Sequence, residues 1–190
     1  MALAENTGGG RRVRPRMPLP GHAGLWCSGL DDRLAEALIA RTLDPSDVRL
    51  REMTHDLSRF SSAGQLERWQ PGRDLICLQD GAGSLLGIVW VAAKAMPERD
   101  DYFDPELMRR RAPRLTLAVR TYGEARGHGL AEAFLGNALN RLLRDRPEGR
   151  SLWYETKAAN AAVRKLGRNM GFFEASGEEG GTVIGVRFDE

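Results

Sequence analysis

The chain has 190 residues and a formal net charge of +2, enough for one well-packed domain and short for two. Hydrophobic residues make up 42% and charged residues 28%, the balance of a soluble globular protein rather than a disordered or fibrous one. Near-neutral charge designates no polyanionic partner. The basic residues, 25 Arg against 3 Lys, read as the usage of a GC-rich genome, so no nucleic-acid partner is expected.

Cys27 and Cys77 are too few for a disulfide framework, and Cys77 sits in an apolar run where a thiol behaves as a small hydrophobe. No apolar stretch approaches the roughly 20 residues of a membrane span, and the basic N-terminus lacks the apolar core of a secretory signal. The expectation is a cytoplasmic protein with no membrane partner. Residues 1–22 combine Gly8, Gly9 and Gly10 with Arg11, Arg12, Arg14, Arg16, Pro15, Pro18 and Pro20. No periodic apolar face forms there, which predicts a flexible tail. Its basic cluster reads as solvated rather than as a phosphate or membrane contact.

Residues 23–47 are expected to be a helical extension, in which Asp31 and Asp32 cap a helix carrying Leu34, Ala37, Leu38 and Leu43 on one side. Residues 48–190 form the main domain. Positions 48–53 alternate apolar and polar like a half-buried strand. The stretch 55–72 is polar and holds at most short helices. Residues 74–79 and 85–93 form a hairpin around Asp80-Gly81-Ala82-Gly83.

Residues 96–113 interrupt the pattern with Glu98, Asp100, Asp101, Asp104 and Glu106, then Arg109, Arg110 and Arg111. Pro105 fits the first position of a helix. The segment is longer than joining two strands requires. Its acids either draw a cationic substrate into a cleft or pair with the segment's own arginines. A strand follows at 115–119. After a glycine-rich loop, Leu130, Ala131, Phe134, Leu135, Ala138, Leu139 and Leu142 mark one face of a helix. Residues 151–155 read as a strand, 160–169 as a helix, and 171–175 with 182–188 as a closing hairpin. That order predicts an α+β fold with a mixed, mostly antiparallel central sheet flanked by helices and a local parallel strand pair.

Arg126-Gly127-His128-Gly129-Leu130-Ala131 joins a strand to an amphipathic helix. Its glycines allow close backbone approach, and the helix start leaves N–H groups free beside the positive end of the dipole. A diphosphate fits such a place. On its own the pattern is more often only a tight loop; it is neither a dinucleotide fingerprint nor a Walker loop. His128 reads as an exposed loop residue.

This loop matches the Arg/Gln-x-x-Gly-x-Gly/Ala signature and so resembles the GCN5-related N-acetyltransferase (GNAT) superfamily. A second match is Leu152-Trp153-Tyr154-Glu155, followed by Asn160, Leu166 and Gly171-Phe172. It is similar to the segment found in ribosomal-protein alanine N-acetyltransferases and their relatives. The resemblance implies a GNAT fold with a splayed parallel strand pair and acetyl-coenzyme A as co-substrate, without a metal. It implies that Arg126, Gly127, His128, Gly129, Leu130 and Ala131 hold the coenzyme A diphosphate. Leu117, Ala118 and Val119 would offer backbone groups to the pantetheine arm, Asn160 would contact it, and Glu155 would be the general base. Arg164, Lys165 and Arg168 either approach the phosphates or form a solvated helix face.

Strand alternation places Glu155 with Trp153, opposite Leu152 and Tyr154. Taken alone, Glu155 reads as a surface carboxylate; with the resemblance it reads as the base. The tyrosine that the family carries seven residues after the asparagine is Gly167 here, leaving Tyr122, Tyr154 or a water to protonate the departing thiolate. The implied activity is an acetyl-coenzyme A-dependent N-acetyltransferase acting by direct attack. The alternative is an acyl-coenzyme A sensor or interaction module with little turnover. The acceptor is a small-molecule or peptide amine (peptide N-terminus, lysine, polyamine or antibiotic), and the chain is a monomer or homodimer. His22, His55, His128 and the two cysteines suggest no metal-ligand cluster.

Overall fold

The computed structural model describes residues 14–144, 146 and 151–188, without the Glu179 side chain. Their strands are β1 Met17–Pro18, β2 Trp26–Ser28, β3 Arg73–Gln79, β4 Leu85–Ala93, β5 Leu115–Thr121, β6 Leu152–Lys157, β7 Phe173–Glu174 and β8 Thr182–Arg187. They form one sheet in the order β1-β2-β3-β4-β5-β6-β8-β7. Each neighbouring pair is antiparallel except β5 and β6, which are parallel.

Both faces of the sheet are covered, so its central strands are apolar at successive positions. Ile76, Leu78, Val89, Val91, Leu115 and Leu117 pack on one face against Phe134, Leu135, Ala138 and Leu139 of α5 (Leu130–Leu142). Leu75, Cys77, Ile88 and Trp90 point the other way. They meet α1 (Asp32–Leu43), α2 (Val48–Met53) and α3 (Ala63–Trp69). A third cluster joins Met96, Tyr102 and Met108 to Trp153, Ile184 and Val186. It seats the 96–113 segment, including α4 (Pro105–Arg111), on the β6–β8 end.

Three expectations are corrected. Residues 14–22 do not form a tail: Met17 and Pro18 pair with Cys27 and Trp26, and Leu19 is buried in the α5-side core. The part of that tail before residue 14 lies outside the described residues. Positions 48–53 are helical, because the Asp47 carboxylate accepts a hydrogen bond from the Leu50 amide and caps α2. That cap outweighs a six-residue alternation in which only Leu50 becomes buried. In α1, capped by Asp31, the buried positions are Leu34, Ala35, Leu38 and Thr42. Leu43 is exposed and Ala37 half-buried. Thr42 tolerates burial by donating its hydroxyl to the Leu38 carbonyl.

No helix among the described residues is long and apolar enough to cross a membrane.

Candidate active site

The sheet parts in its middle. β5 and β6 pair only at Leu115–Leu152 and Thr116–Trp153. Beyond that β5 follows β4 as far as Thr121, while β6 follows β8 as far as Lys157. From Leu117 to Val119, the edge of β5 that faces β6 has no strand partner, which leaves its backbone polar groups open to a ligand; the Thr121 carbonyl further along accepts from Arg126. Of the three residues expected to present backbone here, Leu117 and Val119 face that edge, whereas Ala118, opposite Trp90, turns its backbone to β4.

Two clefts meet at the gap. One, of about 470 Å³, is lined by Arg49, Val119, Gly127, Gly129, Ala131 and Lys165. The other, of about 600 Å³, is lined by Trp90, Lys94, Trp153, Tyr154, Glu155 and Gly167. Met53, Val119, Asn160 and Leu166 line both, so the clefts are two halves of one passage through the sheet. Asn160 is buried, and its carboxamide oxygen accepts from the Val163 amide to cap α6 (Ala161–Asn169).

At the first cleft the loop has the backbone that its glycines suggest. Gly127 has φ 82° and Gly129 φ 70°, a left-handed conformation that costs other residues about 1–2 kcal/mol. A Cβ on either would meet nothing within 4 Å, so a ligand can approach the backbone directly. Gly129 is the N-cap of α5 and supplies no capping side chain. The first-turn N–H groups of α5 thus face the cleft with the positive end of the dipole. A diphosphate fits this concavity. His128 is exposed and does not line it.

The Arg126 side chain does not join that anion site. Its Nη1 and Nη2 donate to Asp47 at 2.6 and 2.9 Å, and its Nε donates to the Thr121 carbonyl at 2.9 Å. The pair fastens the glycine loop to the cap of α2. Burial alone would raise the Asp47 carboxyl. The Arg126 hydrogen bonds, the Leu50 amide and the Arg126 charge together carry it below its ordinary value. A carboxyl lowered in the folded state stabilises it at neutral pH, and that contribution is lost as pH falls through the depressed value. Asp47→Ala removes the cap and the brace together. It is expected to cost about 1–2 kcal/mol in thermal or denaturant unfolding and to weaken coenzyme A binding in calorimetry.

The other cations lining this cleft are Arg49 and Lys165, both exposed, and the buried Arg120. Arg49 is hidden from a sequence reading that treats 48–53 as a strand. Arg164 is bound to Glu174 and Glu178, and Arg168 to Glu174.

At the second cleft, alternation along β6 holds. Leu152 and Tyr154 enter the α5-side core, Trp153 packs on the opposite side, and Glu155 is exposed at the cleft. Thr182 donates its hydroxyl to Glu155 Oε1 at 3.2 Å and accepts from Arg99 Nη1 at 2.9 Å. Arg99 in turn binds Asp101 through two bonds of 2.8 and 2.7 Å. Glu155 is thereby positioned with one oxygen held by a neutral donor.

Three of the five acids of the 96–113 segment are engaged locally. Asp101 binds Arg99, Glu106 binds Arg109 and Arg110, and Asp104 caps α4. None of the segment's residues lines the cleft.

Gly167 acquires a steric explanation. A Cβ built there would lie 2.9 Å from Tyr154 Cε1 and Cζ and closer still to the hydroxyl. One built on Gly185, opposite Tyr154 in β8, would overlap the same ring. The two glycines make room for Tyr154, which packs on Phe172 at 5.3 Å. The space a residue-167 side chain would enter is occupied by the Tyr154 hydroxyl. Burial first, then Glu174, raises the Tyr154 phenol above its ordinary value, against Arg168 and Arg164. A phenol holds its proton at neutral pH in any case, and the rise extends that further into the alkaline range.

A mostly antiparallel sheet, one splayed parallel pair and a glycine loop opening a helix at the splay constitute the GNAT fold. No protein-family model matches the chain, and no curated protein matches it in sequence. Solved structures do match. The GNAT domain of S. lividans PAT shares 18% identity at a TM-score of 0.62, covering 86% of this chain and 89% of that one. RimL, a ribosomal L7/L12 alpha-N-protein acetyltransferase in complex with coenzyme A, shares 13% at 0.58 over 90% and 97%. Spermidine N-acetyltransferase from Vibrio cholerae, in complex with CoA and spermine, shares 11% at 0.56 over 87% and 94%. At these identities the likeness is one of fold.

Proposed function

We propose that this chain is an N-acetyltransferase that moves an acetyl group from acetyl-coenzyme A to a primary amine by direct attack. The observation that carries this reading is the continuous passage through the parted sheet, with the Gly127–Gly129 backbone at one end and Glu155 at the other. Acetyl-coenzyme A supplies the activated acyl group and a thiolate leaving group. The loop from Arg126 to Ala131 holds its diphosphate through backbone N–H groups, with Arg49 and Lys165 adding charge. The free edge at Leu117 and Val119, on either side of Ala118, receives the pantetheine arm, and Asn160 flanks it. Motif likeness to the ribosomal-protein alanine N-acetyltransferases makes a protein N-terminus one class of acceptor. A cytoplasmic setting belongs to the same reading.

The acceptor's ammonium form first gives one proton to solvent, because only the neutral amine is a nucleophile; Glu155 takes the second, directly or through a water, as the C–N bond forms, and passes it to solvent. As the new C–N bond forms and the C–S bond breaks, Tyr154 gives its phenolic proton to the departing sulfur and regains one from solvent. The sensor reading drew on Gly167, and the Tyr154 hydroxyl over that glycine favours the enzyme. Acetyl transfer by Tyr154→Phe tests the assignment. We expect kcat to fall about tenfold, less than usual for a general acid because a thiolate leaves readily. The KM for acetyl-coenzyme A should hold, and the alkaline limb of the rate profile should disappear. An unchanged kcat and profile would remove Tyr154 from the mechanism.

A further inference from the structure

We infer that the acceptor bound in this cleft is an amine that also carries a carboxylate, as a small amino acid or short peptide does. The inference rests on the transferase reading of the same passage and adds the charge of its substrate. Four permanent cations line the Glu155 half of the passage, Arg59, Arg73, Lys94 and Arg120 (the last at the junction, lining both halves), against two carboxylates, Asp56 and Glu155. Asp56 is shared: Arg59 binds one oxygen at 2.7 Å and Arg120 the other at 2.8 Å. Among the described residues no carboxylate pairs with Arg73 or Lys94. Arg73 donates to the carbonyls of Trp69 and Pro71 and stacks on the Trp69 ring at 5.0 Å. Lys94 lies 5.2 Å from the Trp153 ring, on the same β6 face as Glu155.

The cationic side is built, not merely exposed. The Arg120 side chain is 6% exposed and rests 4.6 Å from the Phe60 ring and 5.5 Å from Trp90. Its Nη1 is buried without a hydrogen-bond partner among the described residues. Burial and the neighbouring Arg59 charge both lower Arg73. Burial likewise lowers Arg120. Like charges are thus held close in a partly desolvated cleft, at a cost that a bound anion relieves. A polyamine would add positive charge to this wall. An amine with a carboxylate satisfies both ends at once: the amine meets Glu155, and the carboxylate meets the unpaired cations.

The test uses the whole chain with glycylglycine, its C-terminal amide, and spermine. These are compared by calorimetric binding and by kcat/KM with acetyl-coenzyme A at several salt concentrations. We expect the dipeptide acid to bind and react about tenfold better than its amide, with spermine poorest, and the preference to shrink with added salt. Arg73→Gln, Lys94→Gln and their combination should narrow the acid-to-amide ratio towards unity and leave coenzyme A affinity intact. Equal or better binding of the amide or spermine overturns the inference, whatever the turnover. So does a loss of coenzyme A affinity in Arg73→Gln, which would assign these cations to the coenzyme's phosphates. Preferential binding of the acid without acetylation of any amine would support the charge assignment while overturning the transferase reading.

Discussion

Glu155→Gln is expected to slow acetyl transfer at neutral pH by about 10²-fold. The carboxamide keeps an oxygen for the Thr182 hydroxyl, which Glu155 now accepts at 3.2 Å, so the loss is confined to proton acceptance. Because the residue is exposed and its described partner is a single threonine, the unfolding midpoint should hardly move. Coenzyme A affinity should also hold, since the diphosphate end of the passage lies beyond Val119 and Asn160. The rate of the variant should rise with pH only as the free amine fraction rises. Full activity with an unaltered pH–rate profile would return Glu155 to the status of a surface carboxylate.

Gly129→Val is expected to abolish the rise in thermal stability that coenzyme A produces by binding the native state. Two effects act together. Valine is β-branched and resists φ 70°, so the first turn of α5 must shift or bear about 1–2 kcal/mol of strain. Its side chain would also occupy the open space before the loop, where a Cβ at this position meets no protein atom within 4 Å. That open space lets the fold accommodate the substitution while the anion is excluded. The variant should therefore unfold cooperatively, at a modestly lower temperature, with no response to coenzyme A. An undiminished shift would overturn the diphosphate assignment.

Much of this architecture is legible in local pattern. The β3–β4 hairpin, the α5 stripe and the β6 alternation each rest on a period matched to a turn or cap within a few residues. Positions 48–53 were not, because six residues with three apolar positions fit a strand as well as a helix. There the decision falls to Asp47, which caps α2 and also binds Arg126, 79 residues away. The same long-range bond removes the Arg126 guanidinium from the anion site, which its motif position alone does not reveal. Leu19 and β1 were hidden by a Pro- and Arg-rich composition whose pairing partner, β2, is itself only three residues long. At the Glu155 end, the sequence shows glycine at 167 where the family resemblance implies a tyrosine. It cannot show that the Tyr154 ring occupies the space beside Gly167, because that needs Gly185 of β8 against the same ring. The cationic wall is the most scattered feature. Arg59, Arg73, Lys94 and Arg120 come from separate segments, and only the sheet brings them to one cleft.

The central claim is that the passage carries acyl transfer and not coenzyme binding alone. Its most direct test follows amine acetylation by mass spectrometry and thiol release by disulfide exchange, in one reaction with acetyl-coenzyme A and a panel of amines. The account predicts acetylated amine and free coenzyme A thiol in equal amounts, with multiple turnovers from the wild-type chain and the rate cut in Glu155→Gln. Saturable binding of acetyl-coenzyme A with no acetylated product from any amine would contradict it.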